Sequence, residues 1–251
     1  MPELIFEGVK ISSMSGAVPK NKIINREFTK YFNQKVVDEV VNKTGVEERR
    51  VTNSNTTSSD LCFAAAEKLF LDNKIDKSQI DVLIFVSQTP DYRMPATSLV
   101  LQGSLGLPKS TAAFDVNLGC SGFVYALSIA YSYACQPNIN KVLLLDGETR
   151  SKAYHPKDRK TGFIFGDAGV AAIIEKDKNI GKSYFSLNSD GTLYDLIKID
   201  AGGYRNPSSP ETLKEKVVDE YGNIRTDEHG HMKGGDAVSY THLRAHETFG
   251  Y

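Results

Sequence analysis

The sequence predicts an α/β fold, in which helices cover both faces of a sheet. Three near-continuous apolar runs of strand length, at residues 80–87, 141–146 and 169–174, are typical of strands that are buried on both faces. Segments with helical patterns lie between these runs, and strands that alternate with helices indicate a layered α/β architecture. The length of 251 residues allows one large domain or two smaller ones.

The first half of the chain contains the clearest further elements. Residues 4–11 alternate well enough to form a first strand. Residues 57–73 are predicted to form a helix that opens with Ser and Asp as capping candidates, and residues 97–105 a second helix that follows Pro95. Residues 111–118 are predicted to form a short strand.

The elements that follow are a long helix and a final pair of strands. Residues 121–135 carry apolar side chains on nearly every face, which is typical of an enclosed helix. Residues 183–187 and 196–200 are predicted to be two strands around the turn at residues 188–191. Residues 201–236 are rich in Gly, Pro, Ser and charge, so we expect either a functional lid or a segment whose packing partner is missing.

The composition excludes several classes of function. Lysine and arginine number 30 and aspartate and glutamate 31, which gives a formal net charge of -1. Because no basic stripe is interleaved with aromatic residues, we expect no nucleic-acid partner. The most apolar stretch, residues 123–135, is shorter than the roughly 20 residues that cross a bilayer, so we expect no membrane partner. The chain start lacks the pattern of a secretory signal, and three cysteines without Cys-x-x-Cys spacing fit a cytoplasmic location.

One cysteine lies between a predicted buried strand and a predicted helix. Cys120 is flanked by Gly119, Ser121 and Gly122, which leave the sulfur open to the carbonyl group of another molecule. The N–H groups of the first helical turn lie at the same place and favour negative charge, so they favour the thiolate over the thiol. The sequence therefore predicts a reactive nucleophile at Cys120. The alternative is a small buried hydrophobic residue, the commonest fate of a free cysteine.

The other cysteines and the histidines are predicted to have no role in a site. Cys62 lies among apolar residues of the predicted 57–73 helix and should fill the core, while Cys135 lies at a helix end that disfavours a thiolate. His155 is predicted to lie in a surface turn. His229 and His231 lie in a Gly-flanked segment without a rigid scaffold, so we expect a solvated turn and no metal site.

Four segments taken together resemble the 3-oxoacyl-(acyl-carrier-protein) synthase III family of the thiolase-like superfamily. They are Thr-Gly-Val-Glu-Glu-Arg-Arg at 44–50, Asp-Val-Asn-Leu-Gly-Cys-Ser-Gly-Phe-Val-Tyr-Ala-Leu at 115–127, Phe-Gly-Asp-Ala-Gly-Val-Ala-Ala at 165–172 and Asn-Ser-Asp-Gly at 188–191. Thiolases, hydroxymethylglutaryl-CoA synthases and plant-type polyketide synthases share the outline. The resemblance implies a thiolase-like fold, layered αβαβα in the intact family, of which this chain carries the N-terminal half and the beginning of the second.

The resemblance also implies an acyltransferase of the condensing class. Cys120 would take an acyl group from acyl-CoA, and the carbanion formed when malonyl-acyl-carrier protein loses carbon dioxide would attack the resulting thioester. An oxyanion hole that includes the backbone N–H of Cys120 would hold the developing negative oxygen. On this reading no cofactor is bound permanently, acyl-CoA is a substrate, and the intact protein is a homodimer.

Three further residues correspond to binding positions of the family. Lys43 and Lys152 fall near places where the family often uses arginine around the pantetheine channel and the CoA nucleotide; a lysine there attracts phosphate but cannot bind it in a bidentate manner. Met94, before Pro95, corresponds to the residue that lines the acyl pocket of the dimer partner. The alternatives are a solvated surface lysine and an ordinary core methionine. Gly166, Asp167 and Gly169 are expected to form a structural turn and cap.

The family likeness stops before the chain does. The family completes its site with a histidine and an asparagine from the second half of the fold, beyond the matching part. Residues 239–251 depart from the family pattern, and we predict that they are a frame-shift or assembly artefact of a truncated gene product that is inactive alone. The expected organisation is a half that carries the nucleophile at 1–174, linker strands and the start of the second half at 175–238, and the tail at 239–251.

Two other functions stay open at this point. The chain or its intact parent could be a non-catalytic partner of another condensing subunit that binds an acyl chain or a carrier protein. Within the enzyme class, a thiolase or synthase that acts on CoA thioesters throughout is a third possibility. Acylation of Cys120 by acetyl-CoA distinguishes the condensing enzyme from the non-catalytic partner. The use of malonyl-CoA or of malonyl-carrier protein as second substrate distinguishes an enzyme that acts on CoA thioesters throughout.

Overall fold

A computed structural model describes residues 3–232 of the chain. Its α-helices are α1 (Gln34–Thr44), α2 (Ser58–Asn73), α3 (Thr97–Ser104) and α4 (Gly122–Ala134). Its strands are β1 (Glu3–Glu7), β2 (Val9–Ala17), β3 (Lys22–Ile24), β4 (Glu48–Arg50), β5 (Ile80–Val86), β6 (Ala112–Val116), β7 (Lys141–Thr149), β8 (Asp167–Lys176), β9 (Lys182–Ser186), β10 (Ile197–Lys198), β11 (Lys216–Val217), β12 (Ile224–Arg225) and β13 (His231–Met232). None of the helices in this part is both long and apolar enough to cross a bilayer.

Five strands form the central sheet, in the order β2-β8-β7-β5-β6. Strand β5 runs parallel to β6 and β7, whereas β8 is antiparallel to β2 and β7. Val86 at the end of β5 lies level with Val116 on one side and with Asp146 on the other. The three apolar runs are β5, β7 and β8, and most of their residues are buried. The predictions of strands covered on both faces and of an α/β fold are therefore confirmed.

Different helices cover the two faces of this sheet. Phe85 and Leu145 are fully buried in a cluster that includes residues of α2 and α3. Ile84 and Leu144 are fully buried in a second cluster, which includes residues of α4. Successive side chains of a strand point to opposite faces, so a strand with two covered faces must be apolar throughout.

Helix α4 is less enclosed than its sequence predicts. Ala126 and Ala130 on its sheet-facing side are fully buried, but Val124 is 44% exposed and Tyr133 is 36% exposed. The prediction of an enclosed helix is therefore wrong. Apolar residues remain on the surface of most proteins, so an apolar helix does not have to be buried on every side.

The first predicted strand, residues 4–11, is two strands in two different sheets. Strand β1 ends at Glu7, and β2 begins at Val9. Gly8 between them has φ 70°, a left-handed conformation that glycine adopts without steric cost. As a result β1 pairs with β9 and β2 pairs with β8.

The two strands predicted around residues 188–191 do not pair with each other. Strand β9 pairs with β1, so that Leu4 faces Phe185, and β10 pairs with β13. The Phe185 ring packs edge-on against Tyr131 of α4, with 5.3 Å between ring centroids. Packing between distant parts of the chain decides which strand pairs with which. The pattern of residues within one strand does not show its partner.

Helix α1 is not among the elements predicted from the sequence. It begins after Asn33, whose side chain accepts a hydrogen bond from the N–H of Val36 at 3.0 Å, and it ends at Gly45 with φ 70°. Val37 and Val41, spaced by four residues, are fully buried. The two caps and this spacing of valines are sequence features that indicate a helix. Valine is β-branched and has a low helix propensity, so the indication is weak.

The described residues form two compact units. The first comprises residues 3–22, 50–149 and 166–189 and contains the central sheet, the β1-β9 pair and helices α2 to α4. The second comprises residues 23–49, 150–165 and 190–232 and contains α1 and the short pairs β10-β13 and β11-β12. The segment predicted to be a lid or an unpartnered segment lies in the second unit as far as residue 232. Distant parts of this segment are joined to each other, for example by the hydrogen bond from the N–H of Ala201 to the carbonyl oxygen of Asp227 at 2.9 Å. The predicted tail at 239–251 lies outside the described residues.

Candidate functional site

The carboxyl ends of three parallel strands bring Gln88, Cys120 and Glu148 to one edge of the sheet in the first unit. Gln88 follows β5, Cys120 follows β6, and Glu148 is the penultimate residue of β7. This edge is the usual place for ligand sites in α/β sheets. Of these three residues, only Cys120 is predicted from the sequence. The signal in the sequence was a polar side chain close to the carboxyl end of each buried strand, just after β5 for Gln88 and within the last two residues of β7 for Glu148.

Cys120 lies in the turn between β6 and α4, as the sequence predicts, and it is exposed. The turn is closed by a hydrogen bond from the N–H of Gly122 to the carbonyl of Gly119 at 2.7 Å. Ser121 at the N-cap makes no capping hydrogen bond through its side chain. Apart from the N–H of Gly122, which this bond uses, the first-turn N–H groups of a helix have no partner within the helix and can donate to an anion or an oxyanion.

Two glycines bring this turn into close contact with the end of β5. A Cβ at Gly119 would lie 2.7 Å from Oε1 of Gln88, and a Cβ at Gly122 would lie 2.7 Å from Cγ1 of Val86. Both distances are shorter than the contacts that real Cβ atoms make. The glycines on either side of Cys120 therefore allow the turn to lie directly against β5 and the residues that follow it.

Glu148 holds the segment that follows β5. Its Oε1 accepts a hydrogen bond from the backbone N–H of Gln88 at 2.7 Å, and its Oε2 accepts one from the hydroxyl of Thr89 at 2.7 Å. Oγ1 of Thr89 in turn accepts a hydrogen bond from the N–H of Thr149 at 2.9 Å. These three bonds join the ends of β5 and β7.

A second carboxyl group, that of Asp146, lies two residues before Glu148 and therefore on the same face of β7. Burial raises the pKa of Asp146 to about 6, and the negative charge of Glu148 adds to this effect. No hydrogen bond lowers that pKa. Asp146 therefore carries a proton more readily than an ordinary aspartate.

The other two cysteines differ from Cys120 in position. Cys62 is a residue of α2 that is fully buried in the core, as predicted, and its Sγ lies 3.9 Å from the carbonyl oxygen of Val170. Burial, and after it the charge of Asp146, raise the pKa of the Cys62 thiol. Cys135 is exposed and follows the last residue of α4, which also agrees with the sequence analysis.

The other predicted site residues are exposed. Met94 is 87% exposed and lies in the first unit with Cys120. Lys43, near the end of α1, and Lys152, in a short 3-10 turn, are exposed residues of the second unit. Their assignment to substrate binding stays a prediction. Asp167, expected to be structural, is 3% exposed and accepts hydrogen bonds from the backbone N–H and the hydroxyl of Thr52 at 2.7 and 2.8 Å.

The histidines are buried more deeply than the sequence predicts. His155 is 7% exposed, and its Nε2 lies 3.3 Å from Oε1 of Glu215. Its ring packs edge-on against His229, with 4.8 Å between centroids. His231 is 4% exposed. The predicted surface turn of His155 and the predicted solvated position of His231 are therefore wrong, because packing within the second unit encloses these two rings, whereas His229 is half-buried. Within residues 3–232, no group of three or more His, Cys, Asp and Glu side chains is arranged to hold a metal.

A family model and the similar proteins of known name all indicate the same family. The family model described as 3-oxoacyl-[acyl-carrier-protein (ACP)] synthase III matches residues 114–191, which include Cys120. A beta-ketoacyl-[acyl-carrier-protein] synthase III of Aliarcobacter butzleri is 37% identical over 82% of this chain and 62% of its own length. The enzyme of the same name from Fusobacterium nucleatum is 34% identical over 84% of this chain and 64% of its own length.

A solved structure shows the same fold. The crystal structure of 3-oxoacyl-(acyl-carrier protein) synthase from Burkholderia xenovorans LB400 is 36% identical, with a TM-score of 0.86, and the match covers 96% of this chain and 67% of that chain. The predicted thiolase-like architecture is thereby confirmed. The chain spans a little under two thirds of the length of the two curated relatives described above.

Proposed function

The chain belongs to the 3-oxoacyl-[acyl-carrier-protein] synthase III family, and on that premise we propose that Cys120 is the nucleophile of a condensing acyltransferase. The observation that carries the proposal is the position of Cys120, which is exposed between two glycines at the N-terminal end of α4. A thiol in that position is open to a substrate, and backbone N–H groups at the same helix end can donate to the oxygen of a bound acyl group. The substrates, acyl-CoA and malonyl-acyl-carrier protein, are part of the proposal.

The first step is transfer of an acyl group to sulfur. The Cys120 thiolate attacks the carbonyl carbon of acyl-CoA, so that a new carbon–sulfur bond forms and the bond to the CoA sulfur breaks. CoA leaves as a thiolate. Between these events the carbonyl oxygen carries a negative charge, and backbone N–H groups at the start of α4, including that of Cys120, are the donors that would stabilise it. No metal or organic cofactor is required for this step.

The second step joins two acyl units. The malonyl group on the carrier protein loses carbon dioxide, and the electron pair of the broken bond forms a carbanion that attacks the Cys120 thioester. A carbon–carbon bond forms, and the Cys120 thiolate leaves. Family resemblance assigns this step to a histidine and an asparagine of the second half of the fold. We therefore propose that the inactivity predicted for the 251 residues alone applies to condensation, and that loading of Cys120 persists.

Acyl loading is testable on the chain as it stands. Incubation with radiolabelled acetyl-CoA should leave a label on Cys120 that is stable to acid and released by hydroxylamine, which identifies a thioester. Cys120→Ala should abolish the label. Cys135→Ala, a matched removal of the other exposed cysteine, should leave it unchanged. A folded chain that acquires no label would contradict the proposal and favour a non-catalytic partner that binds an acyl chain or a carrier protein.

We also propose that the complete protein is a homodimer. Within residues 3–232, strand β6 is at one edge of the central sheet, and an edge strand offers backbone groups that a second copy can pair with. The exposed Met94 side chain lies in the same unit. Sedimentation velocity on the complete protein tests this, and a monomer at all concentrations would contradict it.

A further inference from the structure

Glu148 uses both carboxylate oxygens to fix the two residues that follow Ser87. One oxygen accepts the backbone N–H of Gln88 and the other accepts the hydroxyl of Thr89, each at 2.7 Å. Hydrogen bonds to a charged acceptor are among the stronger ones in proteins. The path of the chain after β5 is therefore set by a side chain of β7, 60 residues later in the sequence.

The segment fixed by Glu148 is the one that the Cys120 turn lies against. The Gln88 side chain is so close to Gly119 that even a methyl group there would meet its amide oxygen at 2.7 Å. Val86, two residues earlier, makes the equivalent close approach at Gly122. These two glycines flank Cys120, so a shift of residues 86–89 changes the space around the nucleophile and the direction of its N–H.

Acyl transfer depends on such small displacements. The substrate carbonyl must meet the sulfur and the oxyanion donors at the same time, and an error of about 1 Å in that geometry costs on the order of a hundredfold in rate. Alkylation by a small electrophile needs only an accessible thiolate and has no such requirement. The rate of acyl loading therefore reports on the position of the Cys120 sulfur, whereas the rate of alkylation reports on its exposure.

We propose that Glu148 is a positioning residue for Cys120, which acts through Gln88 and Thr89 and does not touch the substrate. The inference rests on the proposed acyl transfer. Asp146 is the matched control, because it is a carboxylate on the same strand and face, and no hydrogen bond contributes to its pKa.

The test compares Glu148→Ala, Glu148→Gln and Asp146→Asn with the unsubstituted chain. Two rates are measured for each: loading of Cys120 from radiolabelled acetyl-CoA, and alkylation of Cys120 by iodoacetamide followed by peptide mass spectrometry. We expect Glu148→Ala to slow loading by about tenfold to a hundredfold while it changes alkylation by less than about threefold. Glu148→Gln keeps one acceptor oxygen and should fall between, and Asp146→Asn should load within about twofold of the unsubstituted chain.

Two results would overturn the inference while the proposed function survives. The first is normal loading by Glu148→Ala. The second is a fall in loading and alkylation by the same factor, which would mean that Glu148 affects only the exposure or charge of the thiol. If the unsubstituted chain does not load at all, the proposed function fails and the inference fails with it.

Hydrogen exchange checks the geometric link without any reaction. In Glu148→Ala, peptides that contain residues 86–90 and 117–123 should exchange faster than in the unsubstituted chain, while the α2 peptide is unchanged. Unchanged exchange at residues 117–123 would overturn the link between Glu148 and the nucleophile turn. If Glu148→Ala does not fold, Glu148→Gln carries both measurements.

Discussion

The guanidinium group of Arg49 donates a hydrogen bond from Nε to the side-chain oxygen of Asn25 at 2.8 Å. Both residues are buried, Asn25 completely. The Asn25 amide group donates in turn to the carbonyl oxygens of Val46 and Phe163 at 2.9 and 2.7 Å. One neutral side chain thus accepts a hydrogen bond from a buried cation and donates to two backbone carbonyls, so Arg49 of the family-like segment 44–50 has a structural role.

Asn25→Ala should therefore destabilise the second unit strongly. The substitution removes one partner of a buried charge and two donors to buried carbonyls, for which we expect a loss of about 2–4 kcal/mol in the free energy of unfolding. Urea denaturation followed by circular dichroism measures it. Asn42→Ala is the control, since the exposed Asn42 accepts only a surface bond from Arg26, and it should change stability by less than about 0.5 kcal/mol. Equal effects of the two substitutions would refute the structural role of Asn25.

Gly169→Ala tests the close packing of α2 on the sheet. A Cβ at Gly169 would lie 2.5 Å from the backbone N of Cys62 and from the carbonyl carbon of Leu61, and backbone atoms of a packed helix cannot move aside cheaply. We expect a loss of about 3 kcal/mol or more in thermal or urea unfolding. At Gly16 the nearest atom to an added Cβ is 3.8 Å away, so Gly16→Ala should be tolerated. A mild effect of Gly169→Ala would show that α2 does not pack as described.

Asp146→Asn should stabilise the protein at neutral pH. The pKa of Asp146 is raised from its ordinary value of 3.8 to about 6, so the folded state binds the proton more tightly than the unfolded state. The stability from this group is complete below pH 4 and is lost as the pH rises to about 6. After allowance for its partial exposure, we expect Asp146→Asn to gain about 1–2 kcal/mol at pH 7 and little at pH 4. Urea unfolding at both pH values checks this, and an equal effect at the two would contradict the assigned cause.

The paired histidines of the second unit should make it sensitive to acid. Burial lowers the pKa of His229 below its ordinary value of 6.5, and the nearby His155 adds to this, while Glu228 and Glu215 oppose it. The unfolded state then binds the proton more readily, so stability is complete above pH 6.5 and declines as the pH falls below it. His229→Gln should flatten that decline in urea unfolding between pH 7 and 5. A profile unchanged by the substitution would exclude His229 as its source.

Alkylation should distinguish the three cysteines. We expect iodoacetamide at neutral pH to modify Cys120 first, Cys135 more slowly and Cys62 at least about a hundredfold more slowly, because the buried Cys62 reacts only after local opening. Peptide mass spectrometry at successive times gives the three rates. In urea all three should react alike, which provides the control. Equal rates in the folded chain would count against an activated Cys120.

Strands that are covered on both faces were the easiest elements to predict. The continuous apolar runs at residues 82–86 and 142–145 lie fully within buried strands. A strand covered on both faces needs apolar side chains in succession, and this pattern can be recognised without knowing the partner strands. Other elements depend on single residues or on distant contacts. The φ of Gly8 divides one predicted strand into two, and enclosure of His155 follows from packing with segments more than 50 residues away.

The sequence by itself determined the fold class, the family and the turn in which Cys120 lies, because strand and helix patterns and the glycines around the thiol are properties of neighbouring residues. Only the tertiary structure decided that Glu148 holds Gln88 and that Gln88 lies against Gly119. Those contacts join segments that are far apart in the chain, and they follow from the parallel register of β5, β6 and β7. Register is set by the packing of whole faces of a sheet, so no local pattern could have revealed it.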